Sequence, residues 1–540
     1  MAEQSKVLVI GLDGSTFRVL QPMIDAGKLP SLAKLMKRGS WGTLRTIVPA
    51  ITPPAWTSFF TGRNPGKHGI YGFTTGKPGE YEGHRLVSTS DIRCPTLWDE
   101  LSAAGKKVGV MNVPMSYPVW PVNGFMISCL YTPRSVGVAT HPPELVKELG
   151  NYQTTERLRI KVPPHHPEFK AQATAFLDEI EGIIDLHTRT ALDLMRTKPW
   201  DLFALVYMST DRAQHFFWRY FSDDARTKER DPEIAAHIQR MYQKLDAAVG
   251  QLVEAAGSQT TTVILSDHGF GPDMTRSVHL HHFFQSRGWL TRDSFWRVKR
   301  LYKRAMSKMS GTERRYSLDK KAGVILWRKT KAWAEAIGPR CLGVRINRVG
   351  AYQEGCVTEA EYPAFRNEIR EALLSLKDTD GTAIFKDVKP REEVFSGPQT
   401  GMAPDLIGYF TYQYVLNKRA GKDLQMRDLV TDNKNRMRDG NHDPDGIYIA
   451  AGPAIKAAGQ AKTQSILSVA PTILALFGLP VPADMDADAM ADLMTPEFLN
   501  AHPVRKGGEA TTAVAKGETV YNEKDEEEIR ERLENLGYLE

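Results

Sequence analysis

Six acidic and imidazole side chains stand at places where a folded chain could gather them around metal ions. Asp13 follows the apolar run Val7 to Leu12. Asp211 and His215, four residues apart, follow the run Leu202 to Met208. Asp267 and His268 follow Thr261 to Leu265, and His442 lies just ahead of Ile447 to Ala450. Mixed carboxylate and imidazole donors suit zinc, manganese or iron. Each piece has a plainer reading: an Asp after a strand is commonly a turn or helix cap, and an Asp-x-x-x-His spacing arises readily by chance. Their joint occurrence beside apolar runs points to ligands on one rim of a sheet, where open parallel sheets bind their ligands.

The segment Ile51-Thr52-Pro53-Pro54 adds a nucleophile candidate. Thr52 reads as a helix N-cap, with Pro53 in the first helical position and Gly62 closing the helix. A hydroxyl at a helix start lies near free N–H groups and the positive dipole end, where anions bind. A simple capping threonine is the alternative. Threonine is a weak nucleophile until a metal or base activates it, and two adjacent metals would do so.

The elements that must position these residues follow from the hydrophobic pattern. Short, β-branched apolar runs (also Val108 to Val113 and Phe125 to Leu130) alternate with longer helical segments such as Phe176 to Met195 and Pro232 to Ala256. That predicts an α/β fold with a mainly parallel central sheet flanked by helices. The predicted division is a core over residues 1–268, an inserted cap over 269–400, the rest of the core over 401–499, and a linker with an acidic terminal helix over 500–540. A helix over Ser465 to Phe477 is predicted to stop at Gly478 and Pro480.

The chain has 540 residues, 41% hydrophobic and 25% charged, which excludes wholesale disorder. No apolar stretch is long enough to cross a bilayer. The start lacks signal-peptide character, and four cysteines without CxxC spacing make no disulfide framework; the reading is a cytoplasmic protein with thiols. The net charge of +6 hides a basic block: residues 291–331 hold 14 Lys/Arg against 3 Asp/Glu. Such a block attracts anionic substrates, membrane surfaces or nucleic acid, or is a solvated face. Within it, Phe295 to Met309 has helical spacing with interleaved cations. It reads first as a helix packed on the core, and second as a peripheral membrane contact.

These residues sit in motifs that resemble a known family. The stretches VLVIGLDGSTF, TPPAWTSFFTGRNPGKHGIYGF, VGVMNVPMSYP, DRAQHFFW, LSDHGF, MAPDL, NHDPDGIYIAAGP, VAPTILALFGLPVP and ENLGYL resemble the alkaline phosphatase superfamily. They look closest to its type I phosphodiesterase/nucleotide pyrophosphatase branch, and within it to members described as predicted phosphohydrolases or phosphomutases. The resemblance implies two divalent metal ions, zinc first and manganese second. One would be held by Asp13, Asp267 and His268 with the Thr52 oxygen, the other by Asp211, His215 and His442. It implies attack by Thr52 on phosphorus, a phospho-threonine, and hydrolysis of a phosphate mono- or diester. Phosphomutase or phosphotransferase chemistry through the same intermediate is the alternative, and a non-catalytic regulatory protein that keeps its metals is the third reading.

The chain departs from its relatives at Phe73, where nucleotide pyrophosphatases carry an asparagine. It also lacks the C/S-x-P-x-R context of sulfatases. Cofactor-independent phosphoglycerate mutases are similar in their metal ligands but use serine. The substrate side is read as Asn112, Lys67 and His68, with Arg345 and Asn347 as weaker candidates and a solvated loop as the alternative for Lys67 and His68. His279, His281 and His282 read as a surface loop before a further ligand group. The partner class is a small phosphorylated compound, nucleotide- or lipid-linked, with no specific nucleic acid; a homo-oligomer is allowed.

Overall fold

The computed structural model describes residues 5–76, 79–81, 84–221, 230–292, 325–417, 428–433, 438–512 and 521–536. Most of the basic block, including the helix expected over Phe295 to Met309, lies outside the described residues. Among the described residues no helix is long and apolar enough to cross a membrane.

Strands are numbered in chain order. β1 (Lys6–Leu12), β2 (Gly39–Arg45), β3 (Val108–Met111), β4 (Gly124–Ile127), β5 (Thr140–His141), β6 (Leu202–Tyr207) and β7 (Thr260–Leu265) belong to one large sheet. Further along come β8 (Gly269–Pro272), β9 (Ala332–Gly338), β10 (Cys341–Ile346), β11 (Phe385–Pro390), β12 (Leu406–Phe410), β13 (Gly440–Asp443) and β14 (Asp445–Ala451). The large sheet has ten strands, ordered from a short edge strand at 459–460 through β2, β14, β7, β1, β6, β3 and β4 to β5. β1 pairs in parallel with both β6 and β7, and β3 in parallel with β4 and β6. β14 is antiparallel to both its neighbours, β2 and β7, so it enters the sheet from the rim where the others leave it.

Burial on both faces explains the continuous apolar runs. In β1, Val7 and Val9 feed one core while Leu8, Ile10 and Leu12 feed the other. The first core takes helix α1 (Thr52–Thr61) and the helix Val469–Leu476. The second takes α2 (Phe169–Thr197) and α4 (Pro232–Ala256). Between them in sequence lies α3 (Ser209–Phe217), and the chain's last helix is α5 (Glu523–Leu536).

β2 carries no apolar run, because its glycines serve close packing. A Cβ on Gly39 would lie 2.1 Å from the Ala450 oxygen of β14.

The chain forms two compact units, one of residues 1–73, 86–273 and 435–540, the other of 74–85 and 274–434. The second unit thus takes in a short early segment, 74–85, its main part starts a few residues after the expected boundary at 269, and the first unit resumes at 435, not 401. β12 is the reason: it pairs with β10 and β11 in a four-stranded antiparallel sheet ordered β9, β10, β12, β11, so residues past 400 still belong to the second unit. That unit has its own apolar core, including Trp333, Leu342, Ile369 and Phe385.

Candidate active site

The rim of the large sheet collects the six ligand candidates. Asp13 follows β1, and its backbone N–H donates to the Tyr207 oxygen at the end of β6 (3.0 Å). The next residue, Gly14, takes φ 68°, a left-handed turn open to glycine. Its N–H reaches Asp267 Oδ1 (3.2 Å), and its carbonyl accepts from Gln214 Nε2 (2.9 Å). Thr210 Oγ1 donates to the Asp13 carbonyl. Thus α3, which follows β6, holds the turn that carries Asp13.

One turn of α3 puts Asp211 and His215 on one face, Oδ1 to Nε2 3.6 Å. His442 comes from β13, ahead of antiparallel β14, which is why this ligand precedes its strand. Its Nε2 lies 3.1 Å from His215 Nε2 and 3.2 Å from Asp211 Oδ1. His268 stacks on His442 with ring centroids 3.7 Å apart, and its Nε2 is 3.3 Å from Asp267 Oδ2 and 3.8 Å from Asp13 Oδ1.

All six side chains are buried. Two trios, Asp211 with His215 and His442, and Asp13 with Asp211 and His268, have donor atoms mutually within 4.8 Å. The first is the ligand set implied by sequence. In the second, Asp211 stands with Asp13 and His268, while Asp267 sits beside them.

The residues fit metal ions on three independent counts. His215, His268 and His442 each turn Nδ1 to a backbone carbonyl: Gly440 (3.3 Å), Gly269 (3.0 Å) and Ala50 (3.1 Å). Those bonds place the proton on Nδ1 and leave Nε2 as a lone-pair donor facing the cluster. Burial takes His215 down to about 3 and His268 well below the usual imidazole range, so both rings are neutral, the form a metal binds. Finally, Asp13 Oδ1, Asp267 Oδ2 and His268 Nε2 are buried with no hydrogen-bond partner among the described residues, a costly state for polar atoms unless a ligand satisfies them. Burial, then the charges of Asp267 and Asp211, drives Asp13 far above the carboxylate range; burial and Asp211 do the same to Asp267. Asp211 differs: burial pushes it upward too, but the Arg212 guanidinium beside it favours its charged form. Such crowded acid calls for cations.

Thr52 is the first residue of α1; the cap is Ile51, not Thr52 as the sequence suggests, so Pro53 takes the second position. The Thr52 hydroxyl makes no capping bond, and Oγ1 is buried without a partner among the described residues. Two bonds tie its segment to the ligands: Trp56 Nε1 donates to Asp13 Oδ2 (2.7 Å), and His442 Nδ1 donates to the Ala50 carbonyl (3.1 Å).

The other candidates separate. Asn112 ends β3 on the same rim with a left-handed φ of 55°; its Nδ2 donates to the Val206 carbonyl (3.1 Å), and Oδ1 is buried and unbonded among the described residues. Lys67 Nζ is engaged by the Asp484 carbonyl and Asp486, and His68 is buried with Nε2 2.9 Å from Ser58 Oγ. Both lie in the short helix Pro65–His68, not in a solvated loop. Arg345 and Asn347 belong to the second unit's own packing: Arg345 to Glu335 (2.9 Å), Asn347 to Tyr81, Thr330 and Glu354. His279 and His281 are buried, not on a surface loop, and His279 Nε2 is 2.8 Å from Thr431 Oγ1.

Sequence reading passed over one charged pair. Arg212 Nε lies 2.6 Å from Glu156 Oε1, both buried, beside Asp211. The signal available was an arginine next to a ligand candidate; every residue of α3 is buried, so that charge needs a partner inside the fold.

Fold and site together define a metal-dependent phosphoester hydrolase built on an α/β sheet. Residues 7–445 match the family profile described as type I phosphodiesterase/nucleotide pyrophosphatase, and the chain belongs to that family. The fold is similar to that of phosphonoacetate hydrolase from Sinorhizobium meliloti 1021, solved with phosphonoformate (TM-score 0.51, 16% identity, 86% of this chain and 94% of that one). It is also similar to murine ectonucleotide pyrophosphatase/phosphodiesterase 5 (TM-score 0.50, 13% identity, 91% and 100%).

Proposed function

We propose that this protein hydrolyses a small phosphate mono- or diester with Thr52 as nucleophile beside two divalent cations, zinc by the donor set. Asp211, His215 and His442 would hold one; Asp13, Asp267 and His268 would hold the other. When bound, such cations neutralise phosphoryl oxygens and lower the pKa of a neighbouring hydroxyl. Thr52 Oγ1 gives up its proton and bonds to phosphorus while the ester oxygen leaves as an alcohol. Water then cleaves the phospho-threonine, releasing phosphate or a monoester and restoring the hydroxyl. Trp56 fixes Asp13 from α1 itself, so nucleophile and ligand move as one piece.

The observation that carries this reading is the buried, unbonded Thr52 Oγ1 on a segment hydrogen-bonded to both ligand trios. The test is turnover of p-nitrophenyl phosphate and bis-p-nitrophenyl phosphate by metal-loaded protein. Thr52→Ala should lose at least about a thousandfold in kcat with its metal retained, and Thr52→Ser should keep part of the activity. Wild-type turnover by Thr52→Ala would dismiss the nucleophile.

A further inference from the structure

The reaction above uses the rim loops that follow β1, β2, β6 and β7. The loop after β4 lies on the same rim, two strands beyond β6, and carries Tyr131. The Tyr131 side chain is 1% exposed, and its hydroxyl has no hydrogen-bond partner among the described residues. A buried O–H left unbonded is costly, so its position must be repaid by a group that comes and goes or by water. Among the buried tyrosines of the described residues, the hydroxyls of Tyr152 and Tyr242 are also unbonded. They differ in place: Tyr152 precedes α2 and Tyr242 lies on α4, so neither is on the loop after β4, although the Tyr242 hydroxyl also feels the charge of Asp211.

Tyr131 stands on the rim that carries the ligand candidates. After burial, the charges acting on its hydroxyl are those of Cys129 and Tyr521, then Asp13 and Arg212. Its ring lies along that of Phe73 (centroids 6.4 Å, 27° between planes), downstream of the Thr52 helix. Burial first, then the nearby Cys129, holds the phenol well above its ordinary range, so it is an O–H donor and not a base.

The loop that presents it is fixed from behind by the last helix. Arg532 Nη1 donates to the carbonyls of Leu130 (2.7 Å) and Thr132 (2.8 Å), and Tyr521 OH donates to that of Tyr131 itself (3.1 Å). Three consecutive carbonyls are thus held, and Ile529 and Leu533 bury the helix beside them. A rigid backbone with one unbonded donor at its tip is how a preorganised anion contact is built.

We propose that the Tyr131 hydroxyl donates a hydrogen bond to a non-bridging phosphoryl oxygen of the bound ester, making Tyr131 a substrate-contacting residue. This rests on the phosphoester-hydrolase reading above.

The test compares Tyr131→Phe with wild type and Thr52→Ala, using bis-p-nitrophenyl phosphate as substrate and inorganic phosphate as inhibitor. Tyr131→Phe should keep its melting temperature and metal content, lose about ten- to a hundredfold in kcat/KM, and weaken phosphate inhibition by a similar factor. Wild-type kcat/KM and phosphate inhibition would overturn the contact and leave the hydroxyl to a buried water. A fall in kcat/KM with unchanged phosphate inhibition would also overturn it, because free phosphate offers the same oxygens. If Tyr131→Phe fails while Thr52→Ala is inactive, only the tyrosine contact is lost. If Thr52→Ala turns over like wild type, the underlying reading goes with it.

Discussion

Arg212 and Glu156 form a buried ion pair, Nε to Oε1 2.6 Å, one residue along the chain from a metal-ligand candidate. The arginine is 0% exposed and the glutamate 4%. Thr155 Oγ1 donates to the second carboxylate oxygen of Glu156 (2.8 Å), and Arg212 Nη1 lies 3.9 Å from Asp211 Oδ2. The pair joins the loop before α2 to the ligand-bearing turn of α3.

Glu156→Gln would leave the guanidinium buried without its counter-charge. The expected loss is about 3–5 kcal/mol of stability. Asp211 would then face an uncompensated cation, and metal affinity should fall about ten- to a hundredfold. Urea unfolding and metal titration read these separately. A variant with wild-type stability and metal content would contradict the role given to the pair.

Removal of metal should unfold the centre before the sheet. Dialysis against a chelator should abolish turnover and lower the melting temperature, and added zinc should restore both. The gain should grow with free metal, by about 2.7 kcal/mol at a hundred times Kd. Calorimetry at stepped zinc concentrations measures it, and a melting temperature blind to chelator and zinc would remove metal from the site.

His187, on α2, is a pH-sensitive element outside the ligand set. It is buried, with Nε2 2.7 Å from the Gln153 carbonyl, and burial lowers it to about 4. The folded value is below the unfolded one, so the unfolded chain takes up the proton first as pH falls. The stability it contributes is present above about 6.5 and is lost as pH drops toward 4. Between pH 7 and 5 that amounts to about 2 kcal/mol. His187→Gln should flatten this part of the pH dependence in urea unfolding; an unchanged slope would refute it.

Lys67→Met should leave kcat/KM within about threefold, because its ammonium is held by Asp484 and Asp486. The exposed share of that pairing bounds the stability loss to about 1 kcal/mol. A tenfold rise in KM would show instead that the lysine leaves these partners for substrate.

Much of the site was legible because burial leaves a plain trace. A strand covered on both faces reads as an apolar run, and the first few polar residues past it stand on the rim; Asp13, Asp211 and Asp267 fall there, within three residues of their runs. His442 was found too, although it precedes its strand, and only the antiparallel direction of β14 explains that order. Hydropathy carries no direction. β2 was silent because closeness to β14 demands glycine in place of bulk. The Arg212–Glu156 pair joins residues 56 positions apart and Arg532 grips carbonyls 400 and 402 positions away, and no local pattern encodes such partners. The cap at Ile51 differs from the expected one by a single residue, since a threonine before two prolines fits either position.

The antiparallel entry of β14 also sets a timetable. His442 is the last of the ligand candidates to emerge from the ribosome, 429 residues after Asp13. At about 5–20 residues per second, a nascent chain waits on the order of half a minute or more between the two. Through that interval β7 lacks the neighbour it has in the finished sheet, β14, and Asp211 lacks the imidazole of His442.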